Sequence, residues 1–135
     1  MHLEKEANMI TMESKYRGKK EYFLVLSELI TAARFKGKVT YQEIAKLIGF
    51  PLEGNYMGTE IGHLLGEISE DEVKHGRPML SAIVVTTAGH PGPGFFTLAR
   101  YLQRLTGMAS DAELNFWEAE VQAVYDAWKT ILTRK

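Results

Sequence analysis

The stretch from Lys38 to Val85 decides the fold of this chain. It begins with KVTYQEIAKLIGFP (38–51), continues through GNYMGTEIGHLLGEIS (54–69) and ends in the apolar run PMLSAIVV (78–85). The first two segments have apolar residues at helical spacing. The run from Met79 to Thr86 lacks that periodicity and holds β-branched residues, which predicts a buried strand. The loop TAGHPGPG (87–94) follows, rich in glycine and proline.

Capping residues define the helix at the start of this stretch. Thr40 precedes Glu43 by three positions, so the hydroxyl and the carboxylate can each satisfy a free amide at the helix start. Gly49 and Pro51 are residues that typically end a helix. The pattern predicts a helix from Tyr41 to Ile48.

Three more apolar stripes predict helices, from Gly18 to Phe35, from Met57 to Ile68 and from Phe95 to Leu105. Ser69 and Glu72 repeat the capping-box spacing, which predicts a separate short helical turn running to His75.

Ser110 and Glu113 repeat this spacing again and predict a last helix from about Asp111 to Thr133. Its apolar stripe, which includes Trp117 and Trp128, has the spacing of a surface that packs along a partner helix.

We therefore predict a mainly α fold with a small β element. Helix, turn, helix, strand and loop tip, in this order, is the pattern of a winged helix-turn-helix. Residues 15–107 would form this domain, after a mobile N-terminal arm at 1–14 and before a C-terminal packing or dimerisation helix at 108–135.

Composition excludes several functions. The 135 residues contain no cysteine, so disulfides, thiolate metal sites and cysteine nucleophiles are absent. No apolar run approaches the roughly 18 residues of a membrane span, and the N-terminus has no signal-peptide core. We expect a soluble, cytoplasmic protein that does not bind membranes, with one hydrophobic core.

The net charge of −1 conceals a polarised distribution. Basic residues dominate from Lys15 to Lys38, whereas six acidic residues and no basic ones lie from Glu53 to Glu72. These runs are either solvated helix faces or two surfaces that prefer different partners.

Residues 22–107 resemble the DNA-binding domain of O6-alkylguanine-DNA alkyltransferases and alkyltransferase-like proteins. The matching residues, in order, are VTYQEIA (39–45), Gly49 and Pro51, Ile61-Gly62, Val84-Val85 and Gly89, before a helix from Gly94 to Gly107. The segment between Pro51 and Ile61 is a few residues longer than the family's usual turn.

The resemblance does not extend to the family's catalytic residues. Ser81 stands at the position of the reactive cysteine, Ala82 and Ile83 at those of the histidine and arginine that follow it, and Thr106 at that of the orienting glutamate. A serine hydroxyl without an adjacent base is too weakly acidic to accept an alkyl group. We therefore expect no enzymatic activity and no cofactor.

The resemblance still implies DNA binding, because alkyltransferase-like proteins also lack the cysteine and hold alkylated DNA. Tyr41 matches the tyrosine that helps turn out the damaged nucleotide. Thr59, followed by Glu60, stands where the family has an arginine that fills the gap left in the duplex. The residues predicted to contact DNA are Arg34, Lys36, Lys38, Thr40, Tyr41, Gln42, Asn55, Tyr56, Thr59, His63 and His90.

Several of these residues allow other interpretations. Glu60 and His63, with Glu67 one turn on, have the spacing of a metal-binding pair, but a single copy favours an exposed acidic face, and we predict no metal site. Ser81 is a core or pocket-lining hydroxyl, or, with His90 and a carboxylate, a hydrolase nucleophile.

Two functions follow. The first is a non-catalytic DNA-binding protein of winged-helix, alkyltransferase-like type. The alternative is a protein-interaction module on the same scaffold, which would use the acidic second helix and the stripe from Trp117 to Ile131 to bind a protein partner or a second copy of the chain.

Overall fold

The computed structural model describes residues 12–52 and 57–129. Its elements, in chain order, are α1 (Lys20–Arg34), β1 (Val39–Thr40), α2 (Tyr41–Ile48), α3 (Gly62–Lys74), β2 (Val84–Val85), α4 (Pro93–Tyr101) and α5 (Ser110–Trp128). A π-helical turn, Met57–Ile61, leads into α3, and a 3-10 turn, Leu80–Ile83, leads into β2. The prediction of a mainly α fold with a small β element is confirmed. No helix in the described ranges has the length and hydropathy of a membrane span.

The two strands form a short parallel sheet. Val39 lies opposite Val84, and Thr40 lies opposite Val85. Since α2 and α3 lie between the strands in the sequence, this pairing closes the helical pair into one unit. The predicted strand from Met79 to Thr86 is correct only at its end, because Leu80–Ile83 form the 3-10 turn.

The first capping box is confirmed. The Glu43 amide donates to Thr40 Oγ1 at 3.0 Å, and the Thr40 amide donates to Glu43 Oε1 at 2.8 Å. Gly49 ends α2 with a φ of 79°, a left-handed conformation that favours glycine.

The prediction of a separate helical turn capped by Ser69 and Glu72 is wrong, because both residues lie inside one continuous helix, α3. Both side chains have tertiary partners instead. The Ser69 hydroxyl donates to Ser81 Oγ at 2.8 Å, and the Glu72 carboxylate accepts from Arg77 at 2.9 Å. Partners outside the helix thus decide what these two side chains do.

The third capping box is also wrong, although α5 does begin at Ser110. Glu113 pairs with Arg100 of α4 at 2.8 Å instead of returning to the helix start. The described part of α5 ends at Trp128.

The C-terminal helix packs within its own chain. Val121 and Val124 of α5 are buried in the main core, against α1 and the 3-10 turn. The Trp117 indole donates to the Ala82 carbonyl at 2.9 Å, and the Tyr125 hydroxyl donates to the Gly37 carbonyl at 3.0 Å. The predicted stripe therefore contacts this domain from Trp117 to Trp128, whereas Ile131 lies outside the described residues.

The acidic residues of α3 do not form the exposed face that the sequence predicts. Glu67 is fully buried, and Glu70 and Glu72 are almost as inaccessible. An ionised carboxylate is stable in such a place only if donors surround it, and here the chain supplies them.

The donors to Glu67 and Glu70 come from the segment 12–17, which lies across α3. The backbone amides of Lys15, Tyr16 and Arg17 donate to the Glu67 carboxylate at 2.8 to 3.1 Å. The Met12 amide donates to Glu70 at 2.9 Å. Residues 12–14 of the predicted arm are thus bound to the domain, and 1–11 lie outside the described residues.

The Arg17 side chain completes this arrangement. Its guanidinium donates to Glu70 at 2.6 Å and to Asp71 at 3.0 Å. Asp71 also accepts a hydrogen bond from the Tyr22 hydroxyl. Burial and the bond to Asp71 raise the pKa of the Tyr22 phenol, so it stays protonated as a donor.

We expect Glu67→Gln to destabilise the protein by about 1.5–3 kcal/mol, because hydrogen bonds to a charged group are lost in a buried place. Urea unfolding of both proteins measures the difference. Glu28→Gln, at an exposed position of α1, is the matched control and should change stability by less than about 0.5 kcal/mol. If both substitutions changed the free energy of unfolding equally, the buried hydrogen bonds of Glu67 would not contribute to stability.

Candidate functional site

A cavity of about 580 Å³ lies between the start of α2, the turn before α3, the loop after β2 and the start of α4. Its volume falls within the range of about 300–1,000 Å³ that is typical of ligand sites. Its walls are formed by Tyr41, Gln42, Gly58, Thr59, Gly62, His63, Leu65, Ser81, Thr86, Thr87, Gly92, Pro93, Gly94, Phe95 and Leu98.

Five residues that the sequence singled out meet in this cavity. Tyr41 and Gln42 come from the first turn of α2, Thr59 and His63 from the start of the α3 region, and Ser81 from the 3-10 turn. They come from three separate segments of the chain, which the parallel sheet and the packing of α2 on the turn before α3 bring together.

The other predicted contact residues lie elsewhere. Arg34, Lys36 and Lys38 are exposed, before β1. The Thr40 side chain caps α2. His90 lines a separate depression of about 180 Å³ that includes Phe96 and Trp117.

Asn55 and Tyr56 fall outside the described residues. Within the described ranges, no group of three or more acidic or histidine side chains is placed to hold a metal ion.

Tyr41 is fixed in the cavity wall by Gly92. The Tyr41 hydroxyl packs so closely on Gly92 that a Cβ there would lie 2.7 Å from the oxygen. Burial raises the pKa of the phenol, although a hydrogen bond with the Gly92 backbone opposes the shift. The side chain therefore presents a neutral ring to the cavity.

Ser81 is 5% exposed and lies in the cavity wall. Its amide donates to Ser69 Oγ at 3.1 Å, and the Ser69 hydroxyl donates to Ser81 Oγ at 2.8 Å. Its hydrogen-bond partner is thus another serine. His63 lines the same cavity, but its Nε2 lies 2.8 Å from the Glu13 carbonyl and 3.1 Å from the Glu67 carboxylate.

Among the side chains that the structure describes, the cavity wall contains no aspartate, glutamate, lysine or arginine. Glu60, next to the wall residue Thr59, is paired with Lys15 Nζ at 3.1 Å and accepts from the Tyr16 hydroxyl. These two hydrogen bonds lower the pKa of the Glu60 carboxyl. The segment 12–17 therefore offsets the charge of this acidic residue.

Most of the apolar and loop residues of the wall were not predicted as site residues. Phe95, Leu98 and Leu65 belong to helical stripes that indicate only core packing. Gly92 lies in the glycine- and proline-rich loop, but no local pattern could show that it contacts Tyr41, 51 positions earlier.

No model of a known protein family, no curated protein and no solved structure matches this chain. The resemblance to alkyltransferase-like proteins therefore stays a prediction from the sequence.

We expect Gly92→Ala to destabilise the protein by about 1–3 kcal/mol, because the new methyl group overlaps the Tyr41 hydroxyl. Tyr41→Phe should relieve part of this cost in the double variant. Thermal and urea unfolding of the two single variants and the double variant measure the coupling.

Gly94→Ala, two positions further on at the start of α4, is the matched control, since a Cβ at Gly94 would meet no atom within 4 Å. It should leave stability unchanged or raise it slightly, because alanine favours helices over glycine. A Gly92→Ala variant as stable as Gly94→Ala would contradict the close packing.

Proposed function

We propose that this chain is a non-catalytic DNA-binding protein of winged-helix, alkyltransferase-like type, and that its cavity receives one base turned out of the duplex. The observation that carries the proposal is the position of Tyr41. This residue matches the tyrosine that helps turn out a nucleotide in the family, and it lies in the wall of a cavity large enough for a ligand.

The chemistry of the wall supports a base as the occupant. A base extruded from a duplex needs aromatic or apolar surfaces for its faces and polar groups for its edge. Phe95, Leu98 and the Tyr41 ring supply the first, and hydroxyls such as those of Ser81 and Thr86 supply the second.

The basic residues before β1 lie close to the cavity in the chain. Lys36 and Lys38 are exposed, and the strand and helix that follow carry Tyr41 and Gln42 into the wall. Cations at this place would pair with the phosphates that flank an extruded base, and such pairing supplies much of the affinity for DNA.

The acidic residues of α3 no longer argue strongly against DNA. Glu67, which a phosphate would meet as a repelling charge if it were exposed, is buried under the segment 12–17. Glu60 is paired with Lys15. Less negative charge therefore faces outward than the sequence predicts.

The protein-interaction alternative has weaker support. It relied on an acidic second helix and on a free stripe from Trp117 to Ile131. Within the described residues, the carboxylates of Glu67, Glu70 and Glu72 have partners in this chain, and the α5 stripe packs on the domain core.

We expect Lys38→Glu to weaken binding to plain and to alkylated duplexes by a similar factor, and to make the binding less dependent on salt. A single phosphate contact contributes about one unit to the slope of log affinity against log salt. Mobility-shift titrations at several salt concentrations measure both effects.

Lys20→Glu is the matched control, with the same change of charge at the start of α1, about 20 Å along the helix from its other end at Arg34. It should bind DNA like the unmodified protein. Absence of binding to either duplex at low salt, or equal losses for the two variants, would contradict the proposal.

A further inference from the structure

The segment 34–38, between the end of α1 and β1, exposes an aromatic ring that the core does not use. Phe35 is 78% exposed, the largest exposed fraction among the large apolar side chains that the structure describes. Arg34, Lys36 and Lys38 are exposed beside it. One apolar ring thus stands among three cations in a run of five residues.

These three cations form no ion pair with a carboxylate that the structure describes. The other described arginines all do, namely Arg17, Arg77, Arg100 and Arg104. Arg34 is therefore the exception, and the positive charge of the segment 34–38 is not offset by the described part of its own chain. Such a concentration of charge attracts an anionic partner.

A helix-ending motif fixes the backbone of this segment. The Gly37 amide donates to the Ala32 carbonyl at 2.8 Å. The Lys36 amide donates to the Ala33 carbonyl at 3.1 Å, which completes a Schellman motif. The Tyr125 hydroxyl of α5 holds the same turn through the Gly37 carbonyl at 3.0 Å. The exposed ring is therefore carried by a backbone of defined conformation.

Lys36 occupies the position of this motif where glycine is usual. Its φ is 58°, in the left-handed region that costs energy for a residue with a Cβ. Glycine would make the turn more stable, so the lysine lowers the stability of the fold at this point. Residues in such strained conformations cluster at functional sites, where the side chain is used for binding.

Nucleic acid with unpaired bases fits this combination of ring and charge. Unpaired bases expose flat faces that stack on aromatic side chains, and the phosphates on either side bind cations. A membrane surface fits less well, because interfacial helices present a continuous apolar face. Here Thr31 and Glu28, which lie about one and two turns before Phe35, are exposed and polar.

We propose that the segment 34–38 binds single-stranded nucleic acid, with an unpaired base stacked on Phe35 and the neighbouring phosphates bound by Arg34, Lys36 and Lys38. None of these residues lines the cavity. The inference goes beyond the proposed function, because it requires neither a duplex nor an occupied cavity.

The test compares two fluorescently labelled oligonucleotides of about eight nucleotides, a length within the usual range of single-strand sites. One is a run of thymidines, and the other has the same phosphates on abasic tetrahydrofuran residues. We expect the unmodified protein to bind the thymidine strand about five- to twentyfold more tightly, as the stacking of one base implies. Fluorescence anisotropy titrations measure both dissociation constants.

Phe35→Ala should remove this preference and leave the affinity for the abasic strand unchanged. Phe35→Trp should keep the preference, since an indole also stacks on bases. Phe23→Ala is the matched control, because Phe23 is another exposed phenylalanine of α1, 56% exposed, with no basic residue next to it in the sequence. This control should keep the full preference.

Lys36→Gly separates binding from folding. It should raise the melting temperature by a few degrees, because glycine adopts the left-handed conformation without strain. It should also weaken binding of both strands by the same factor and reduce the slope of log affinity against log salt by about 0.7, as the loss of one phosphate contact implies. A lysine with only a structural role would not give a more stable protein that binds less tightly.

Three results would overturn the inference. These are equal affinities of the unmodified protein for the two strands, an unchanged preference in Phe35→Ala, or Phe35-dependent binding to phosphatidylserine vesicles without binding to either strand. Failure of the duplex proposal looks different. In that case duplexes would not bind at low salt, while the thymidine strand would still bind and its preference would still depend on Phe35.

Discussion

The buried carboxylate of Glu67 is the interaction on which the arrangement of this domain depends. It lies in the middle of α3, out of contact with solvent, and accepts from three consecutive backbone amides of the segment 12–17. Each of these amides would otherwise need another acceptor, so the carboxylate and the segment supply each other's hydrogen-bond partners. The segment in turn brings Lys15 and Tyr16 to Glu60, beside the cavity. One buried charge thus connects the beginning of the described chain with the candidate site.

Local patterns predicted the local structure well. The capping box of Thr40 and Glu43 gave the start of α2, and Gly49 gave its end, because each of these signals acts within a few positions along the chain. The same spacing at Ser69 and at Ser110 did not produce a capping box. In the first case the hydroxyl found a buried partner in Ser81, and in the second Glu113 found Arg100. A capping motif predicts a helix start only when no tertiary partner competes for its side chains.

The site was predictable in part. Tyr41, Gln42, Thr59, His63 and Ser81 were singled out through the resemblance to alkyltransferase-like proteins, and they do line one cavity. The prediction of an exposed acidic face was wrong, because periodicity shows which residues share a side of a helix but does not show what covers that side. Nothing in the segment MESK (12–15) indicates that its backbone would lie against two glutamates more than 50 positions away. Backbone amides are identical at every residue, so their partners leave no trace in the sequence.

The hydrogen bond between Tyr125 and Gly37 has a consequence for how this chain folds. It spans 88 positions and holds the last described helix to the loop before β1, while Trp117 holds the same helix to the 3-10 turn. Contacts of such long range are costly in loop-closure entropy and form late. During synthesis, the residues that cap α2 emerge together, since they are local, but a helix of eight residues needs tertiary contacts to be stable. The core between α1, the 3-10 turn and α5 has to wait until residue 128 has emerged, so a nascent chain that ends near Gly107 would still expose the apolar surface that α5 later covers.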